Sequence, residues 1–269
     1  MTGPTATDTT AAPPVLVERQ GHVTVITLNR PRALNAVNGV LAHALGEALA
    51  SFDAADDERV AVITGTGRAF CVGMDLKAFT AGESAESAEH PEWGFGGFAK
   101  HVIGKPVIAA VNGFAFGGGA ELMLACDLAV CDTDATFGFP EVTRGLFAGA
   151  GGLIRLSQQV AQRRALELIL TGNSIDATTA LGWGLVNRIA PSGEALSLAL
   201  TIAQRIAQNA PLAVAASKRI FFATRHGDPA DSGTWMENDR ELESIFTSLD
   251  AKEGSLAFAQ KREANWVGR

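Results

Sequence analysis

The stretch "KPVIAAVNGFAFGGGAELMLACD", residues 105 to 127, restricts the fold more than any other part of the chain. "KPVIAAVNG" has buried-strand character, three consecutive glycines follow shortly after it, and helix-forming residues start directly behind them. A strand handed to a helix through so short a turn points to an α/β class. Three glycines in a row also concentrate a large loss of backbone entropy at one spot, which a tight turn or a close approach of another group must offset.

The flanking segments mix strand and helix patterns in the same way. "HVTVITLN" (22–29) alternates β-branched and polar residues, and the Pro-containing turn "NRPRALNAVN" ends that strand. Val37, Val40, Leu41, Ala44, Leu45, Ala48, Leu49 and Phe52 then fall at helical spacing, with Asn38 as N-cap and "DAADDE" closing the segment. "RVAVITG" (59–65) reads as a short buried strand, and "RAFCVG" (68–73) as a strand-like piece leading into "MDLKAF". Residues 80 to 99 are small, acidic and glycine-rich, an irregular excursion of the kind that forms a lid or mouth. Residues 191–228 and 234–262 look helical throughout, and no internal repeat of fixed period is visible. The expected organisation is a disordered tail over residues 1–14, an α/β core over 15–195 that holds the active site, and a helical region over 196–269.

A net charge of −7 argues against a general polyanion binder, so nucleic acid is not an expected partner. The opening "MTGPTATDTTAAPP" has neither the basic nor the apolar character of a secretory or mitochondrial leader. No window approaches the ~18 apolar residues of a membrane span, and the expectation is a soluble cytoplasmic protein with no membrane partner. Cys71, Cys126 and Cys131 form no CxxC pair and read as small buried hydrophobes. The histidines His22, His43, His90, His101 and His226 show no metal-ligand spacing, so no metal is expected.

Gly113 and Gly118 satisfy half of a phosphate-binding P-loop, but Gly119 and Ala120 stand where Lys and Ser or Thr are required. A dinucleotide fingerprint fails as well, because counting from Gly117 or Gly149 the third glycine is Leu122 or Ile154. Two uses of the glycines stay open at this point: a tight strand-to-helix turn without a ligand, or free N–H groups at a helix start that accept developing negative charge.

The carboxylates bear on that choice. Glu121 falls in the first turn of the expected helix, where the macrodipole favours an acid whatever its function. Glu141, in "TFGFPEVTRGLFAGAGG", lies among apolar residues between an aromatic strand end and a second glycine cluster. Each alone reads as a capping or solvated residue. As a pair beside two glycine-rich turns they look like a general acid/base couple with backbone donors nearby.

From about Val15 to the C-terminus these residues resemble the crotonase, or enoyl-CoA hydratase/isomerase, superfamily. "LNRPRALNA" resembles the family's opening turn, "AFCVGMDLKAF" its first oxyanion segment and "AAVNGFAFGGGAELMLACDLAV" its second. "FGFPEVTRGLFAGAGGLIRL" is similar to the stretch holding the second catalytic glutamate, and "LILTGNSIDATTALGWGLVNRI" and "DAKEGSLAFAQKREANW" match later parts in order and spacing. The fold implied is α/β, a ClpP/crotonase-like spiral of β-β-α units with a helical C-terminal trimerisation region.

The resemblance assigns the oxyanion N–H donors to Met74 and Gly118, the catalytic pair to Glu121 and Glu141, and help in holding a water to the backbone of Gly149. It places Arg32, Ala33, Leu34, Asp75, Leu76 and Lys77 along the CoA-bearing substrate, and Lys261 against the CoA of a neighbouring subunit. It implies an acyl-CoA thioester as partner, with coenzyme A part of the substrate and no separate cofactor, and a homotrimer or a homohexamer made of two trimers. Retention of both glutamates favours hydration of a trans-2-enoyl-CoA, a lyase reaction; a double-bond isomerase and a silent acyl-CoA-binding subunit are the rivals. Two departures touch the acyl pocket: Ala148 replaces a common Pro, and Met74 replaces a smaller residue.

Overall fold

The computed structural model describes residues 12–228 and 230–269. β1 (Val15–Gln20) pairs antiparallel with β2 (Val23–Leu28), and α1 (Gly39–Ala54) follows. Asn38 caps α1 as expected, its side chain accepting the N–H of Leu41, while Leu41, Leu45, Leu49 and Phe52 are buried along one stripe.

Three β-β-helix units come next. β3 (Val60–Gly65) and β4 (Ala69–Cys71) lead to α2 (Leu76–Thr80), and β5 (Val107–Val111) and β6 (Phe114–Phe116) lead to α3 (Gly118–Ala125). β7 (Leu128–Asp132) and β8 (Thr136–Gly138) lead through a 3-10 turn, Pro140–Arg144, to α4 (Gly152–Gln159). After α5 (Gln162–Thr171) come β9 (Ser174–Asp176), α6 (Ala177–Trp183) and β10 (Arg188–Ala190).

Each unit gives its first strand to one sheet and its second to another. The six-stranded sheet runs β1-β2-β3-β5-β7-β10 and the four-stranded one β4-β6-β8-β9. Apart from the antiparallel β1–β2 and β8–β9 pairs, neighbouring strands are parallel. The chain therefore advances one strand per unit along both sheets at once, which is the expected spiral.

The long apolar runs of β3 and β5 are buried on both faces. Ala61, Ile63, Val107, Ala109 and Val111 face the main core, which also holds the α1 stripe and Phe70, Phe137 and Phe139. Val60, Val62, Ile108 and Ala110 face the other way, onto α7 (Ala195–Ala207). That helix presents Ala195, Ala199, Ala203 and Ala207 at four-residue spacing, and these small side chains let it lie close to the sheet.

The segments read as helical throughout are each broken once. α7 and α8 (Pro211–Thr224) are separated at Ala210, which is extended (φ −60°, ψ 116°) because the following Pro211 disfavours a helical predecessor. Ser248 is extended between α9 (Ser232–Thr247) and α10 (Leu249–Gln260), and its hydroxyl caps α10 through the N–H of Ala251. β1, β6, β7, β9 and β10 were not expected as strands. Of the tail expected over 1–14, residues 1–11 lie outside the described residues, whereas the carbonyls of Pro13 and Pro14 accept hydrogen bonds from the side chain and backbone of Asn29. Among the described residues no helix is long and apolar enough to cross a membrane.

Candidate active site

Two glycine turns from successive units, one after β4 and one after β6, come together beside the smaller sheet. Gly73 has φ +91°. Behind it Val37 and Met74 form a parallel bridge, in which Val37 donates to the carbonyl of Gly73 and the amide of Asp75 donates to the carbonyl of Val37. That pattern leaves out the N–H of Met74, which has no hydrogen-bond acceptor among the described residues. Gly118 opens α3, where first-turn N–H groups have no partner within the helix. The turns touch: a Cβ on Gly73 would lie 2.9 Å from the nitrogen of Gly118.

The glycine triplet now has a physical account. Gly117 adopts φ +53°, a Cβ on Gly118 would run into the Phe95 ring, and one on Gly119 would run into the carbonyl of Cys71.

Glu121 lies one turn into α3, only 3% exposed, and its Oε1 accepts the N–H of Gly152 at 2.7 Å. Burial pushes its carboxyl up to about 7; the nearby Glu141 charge adds to this, while the amides of Gly152 and Ala150 and the charge of Arg155 oppose it. Glu141 sits half-buried in the 3-10 turn, and a Cβ on Gly117 would stand 3.1 Å from its Oε1. Its other oxygen is buried with no hydrogen-bond partner among the described residues. Burial raises this carboxyl too, against the pull of its own backbone amide and of Arg144.

Met74, Gly118, Glu121, Glu141 and Gly149 line a single cavity of about 970 Å³. Arg32, Ala33, Leu34, Asp75, Leu76 and Lys77 line it as well. Lys261 does not; it terminates α10 in a left-handed conformation, outside the cavity of its own chain. Asp75 reaches the cavity with its carboxylate already engaged. Oδ2 pairs with Arg30 at 2.9 Å, and Oδ1 caps α2 through the amides of Lys77 and Ala78. Burial pushes the Asp75 carboxyl up, but Arg30 and those two amides outweigh it and hold it below the usual range.

Several lining residues were not singled out from the sequence, among them Phe95, Phe116, Glu86 and Arg30. Phe95 had a signal in "GFGGF", where an aromatic sits among glycines inside the irregular excursion. Cys71, Cys126 and Cys131 are free thiols and buried, as read. Among the described residues no group of three or more His, Cys, Asp or Glu could hold a metal ion.

A profile of the enoyl-CoA hydratase/isomerase family matches residues 18–269. A carnitinyl-CoA dehydratase of Proteus mirabilis (strain HI4320) is 40% identical over 257 residues, covering 93% of this chain and 97% of the relative. The crystal structure of an enoyl-CoA hydratase from Mycobacterium tuberculosis H37Rv is similar with a TM-score of 0.91 and 45% identity, covering 96% of this chain and all of the other. That of a carnitinyl-CoA hydratase from Mycobacterium avium is 49% identical with a TM-score of 0.78, again over 96% of this chain and all of the other.

Proposed function

The chain belongs to the enoyl-CoA hydratase/isomerase family, and from that premise we propose that it adds water to a trans-2-enoyl-CoA to give a 3-hydroxyacyl-CoA. The observation that carries this reading is the meeting of two unused amides, on Met74 and Gly118, in the cavity that also holds two carboxyls of raised pKa.

The thioester oxygen accepts both amides and gains charge as water attacks Cβ; each preorganised donor contributes roughly 3 kcal/mol to stabilising the enolate. Glu121 takes the proton from the water, which the backbone of Gly149 helps to hold. Glu141 delivers a proton to Cα. Two acids on one cavity resist ionising together, and the Glu141 charge helps to raise Glu121, so the two titrations are coupled. The unpartnered Oε2 of Glu141 suits the member that keeps the proton. Arg32, Ala33, Leu34, Leu76 and Lys77 border the CoA moiety, which belongs to the substrate, and Lys261 serves the site of a neighbouring subunit.

That last role requires assembly, as a homotrimer or a pair of trimers. Supporting it, the C-terminal helices leave Phe222, Met236, Phe246 and Phe258 exposed, side chains that an assembly through these helices would cover. The same water transfer run backwards is a dehydration, and the relatives named carnitinyl-CoA dehydratase make carnitinyl-CoA a member of the substrate panel.

The test is incubation with crotonyl-CoA while the conjugated enoyl absorbance is followed, then the panel with carnitinyl-CoA included. Loss of that absorbance, collapsing in Glu141→Gln, is the expected result. A crotonyl-CoA signal left nearly unchanged, with a 3-enoyl-CoA gaining the conjugated absorbance instead, would make it an isomerase, and binding across the panel without turnover would make it a silent subunit.

A further inference from the structure

Arg155, in α4, is left without a role by the chemistry above. Its guanidinium is half-buried and donates to two carbonyls, that of Ala99 at 2.6 Å and that of Ala150 at 3.5 Å. No carboxylate among the described residues forms an ion pair with it. A cation taken out of water and given only neutral acceptors is destabilising unless an opposite charge stands nearby. The ionisable groups that act on it are Glu121 from α3, Cys126 just past the end of that helix, and Arg225 just past the end of α8. Burial keeps the Cys126 thiol protonated far above the usual range, and Arg225 has the same sign as Arg155, which leaves Glu121 as the balancing acid.

The two carbonyls also matter. Ala99 closes the irregular excursion and Ala150 belongs to the glycine turn; both line the cavity. Gly152, two residues on, supplies the N–H that holds Glu121. We propose that Arg155 is a positioning residue for Glu121, bridging the Ala99 and Ala150 carbonyls to fix the turn that grips this carboxylate. The proposal rests on Glu121 being the base. The other groups facing Glu121 are Glu141, of like charge, and the amides of Gly152 and Ala150.

Arg155→Met removes charge and bridge at nearly constant length, whereas Arg155→Lys keeps the charge and loses the fork. In Arg155→Met the acidic limb of the kcat/KM profile for crotonyl-CoA moves up by about one pH unit, as expected when an opposite charge is removed. kcat falls at least tenfold with KM changed less than about threefold, the pattern of a lost transition-state interaction. Arg155→Lys returns the limb to its wild-type position with only part of kcat. A limb that stays in place while kcat falls with the folded fraction overturns the proposal. A readout free of turnover is the infrared band of the protonated Glu121 carboxyl, assigned by its loss in Glu121→Gln. It titrates at higher pH in Arg155→Met than in the wild type, and an identical titration overturns the proposal even if the wild type hydrates nothing, an outcome that would sink the hydratase reading separately. If Arg155→Met is insoluble, Arg155→Lys decides, since wild-type kcat in that variant removes the need for a bridge.

Discussion

The α-carbon of Gly73 and the amide of Gly118 are so close that a single methyl group on Gly73 would stand 2.9 Å from that nitrogen and 3.0 Å from the carbonyl oxygen of Phe116. Gly73→Ala therefore has two consequences. At φ +91° a side chain is strained by roughly 1–2 kcal/mol, and the methyl pushes the two donor turns apart. Losing one oxyanion donor costs about 10²–10³ in kcat. The control is Gly193→Ala, which has φ +82° with nothing within 4 Å of the added carbon. Both variants lose thermal stability, and only Gly73→Ala loses kcat. Equal activities per folded protein would show that the two amides do not act together.

Glu121 ties stability to pH in a direction opposite to that of a salt-bridged acid. Its carboxyl is raised from 4.5 to about 7 in the folded chain, so the native state holds the proton more tightly than the unfolded one. The associated stability is complete below pH 4.5 and is lost as pH rises through 7, a total of up to roughly 3 kcal/mol at 1.36 kcal/mol per unit. Glu121→Gln keeps an acceptor for Gly152 and carries no charge. Urea unfolding should find this variant more stable than the wild type at pH 8 and equal to it at pH 4.5, with hydration abolished throughout. A variant less stable at pH 8 would mean that the carboxylate is better satisfied than its burial suggests.

How much of this was legible in the sequence depends on whether a feature is local. Asn38 and most of the α1 stripe were readable because cap and periodicity lie within a few residues, although Val40, read into that stripe, is exposed. β1 was missed because five of its six residues are exposed and its only partner is β2, so no burial pattern marks it. β6, three residues long, falls between the strand read up to Gly113 and the glycine triplet, and three residues are too few to show a period of their own. The glycine triplet announced a close approach without saying to what; Phe95 and the Cys71 carbonyl come from distant parts of the chain. The Met74 amide carries no side-chain signature, and only the family resemblance pointed to it. Arg155 was invisible as a site residue because its partners are the carbonyls of alanines.

Asp75 was expected to contact substrate, and its hydrogen bonds predict otherwise. Asp75→Asn preserves the cap of α2, since Asn and Asp cap about equally, and removes only the charge facing Arg30. KM for crotonyl-CoA should stay within about twofold and the loss should appear as stability, on the order of 1 kcal/mol for a partly buried pair. Asp75→Ala should lose about 1 kcal/mol more, the worth of the cap. A rise in KM at unchanged stability would mean that the carboxylate meets the substrate after all.

The C-terminal helices are fastened to the core by Lys218 of α8, whose Nζ lies 2.7 Å from Oδ2 of Asp127 and 2.8 Å from the carbonyl of Lys105. The same Oδ2 accepts the N–H of Val107 at the start of β5. Burial already pushes the Asp127 carboxyl up, with Lys218 the chief opposing influence. Lys218→Met leaves that carboxylate without its cation and should cost about 2–4 kcal/mol, somewhat less than for a fully buried pair. With Lys218 gone Asp127 protonates more readily, so the cost shrinks as pH falls from 8 toward 5. Because neither residue lines the cavity, kcat per folded molecule is unaffected. Adding Asp127→Asn neutralises the orphaned acid and should recover most of the loss in chemical denaturation. If the two losses simply add, the pair is not what holds α8 in place.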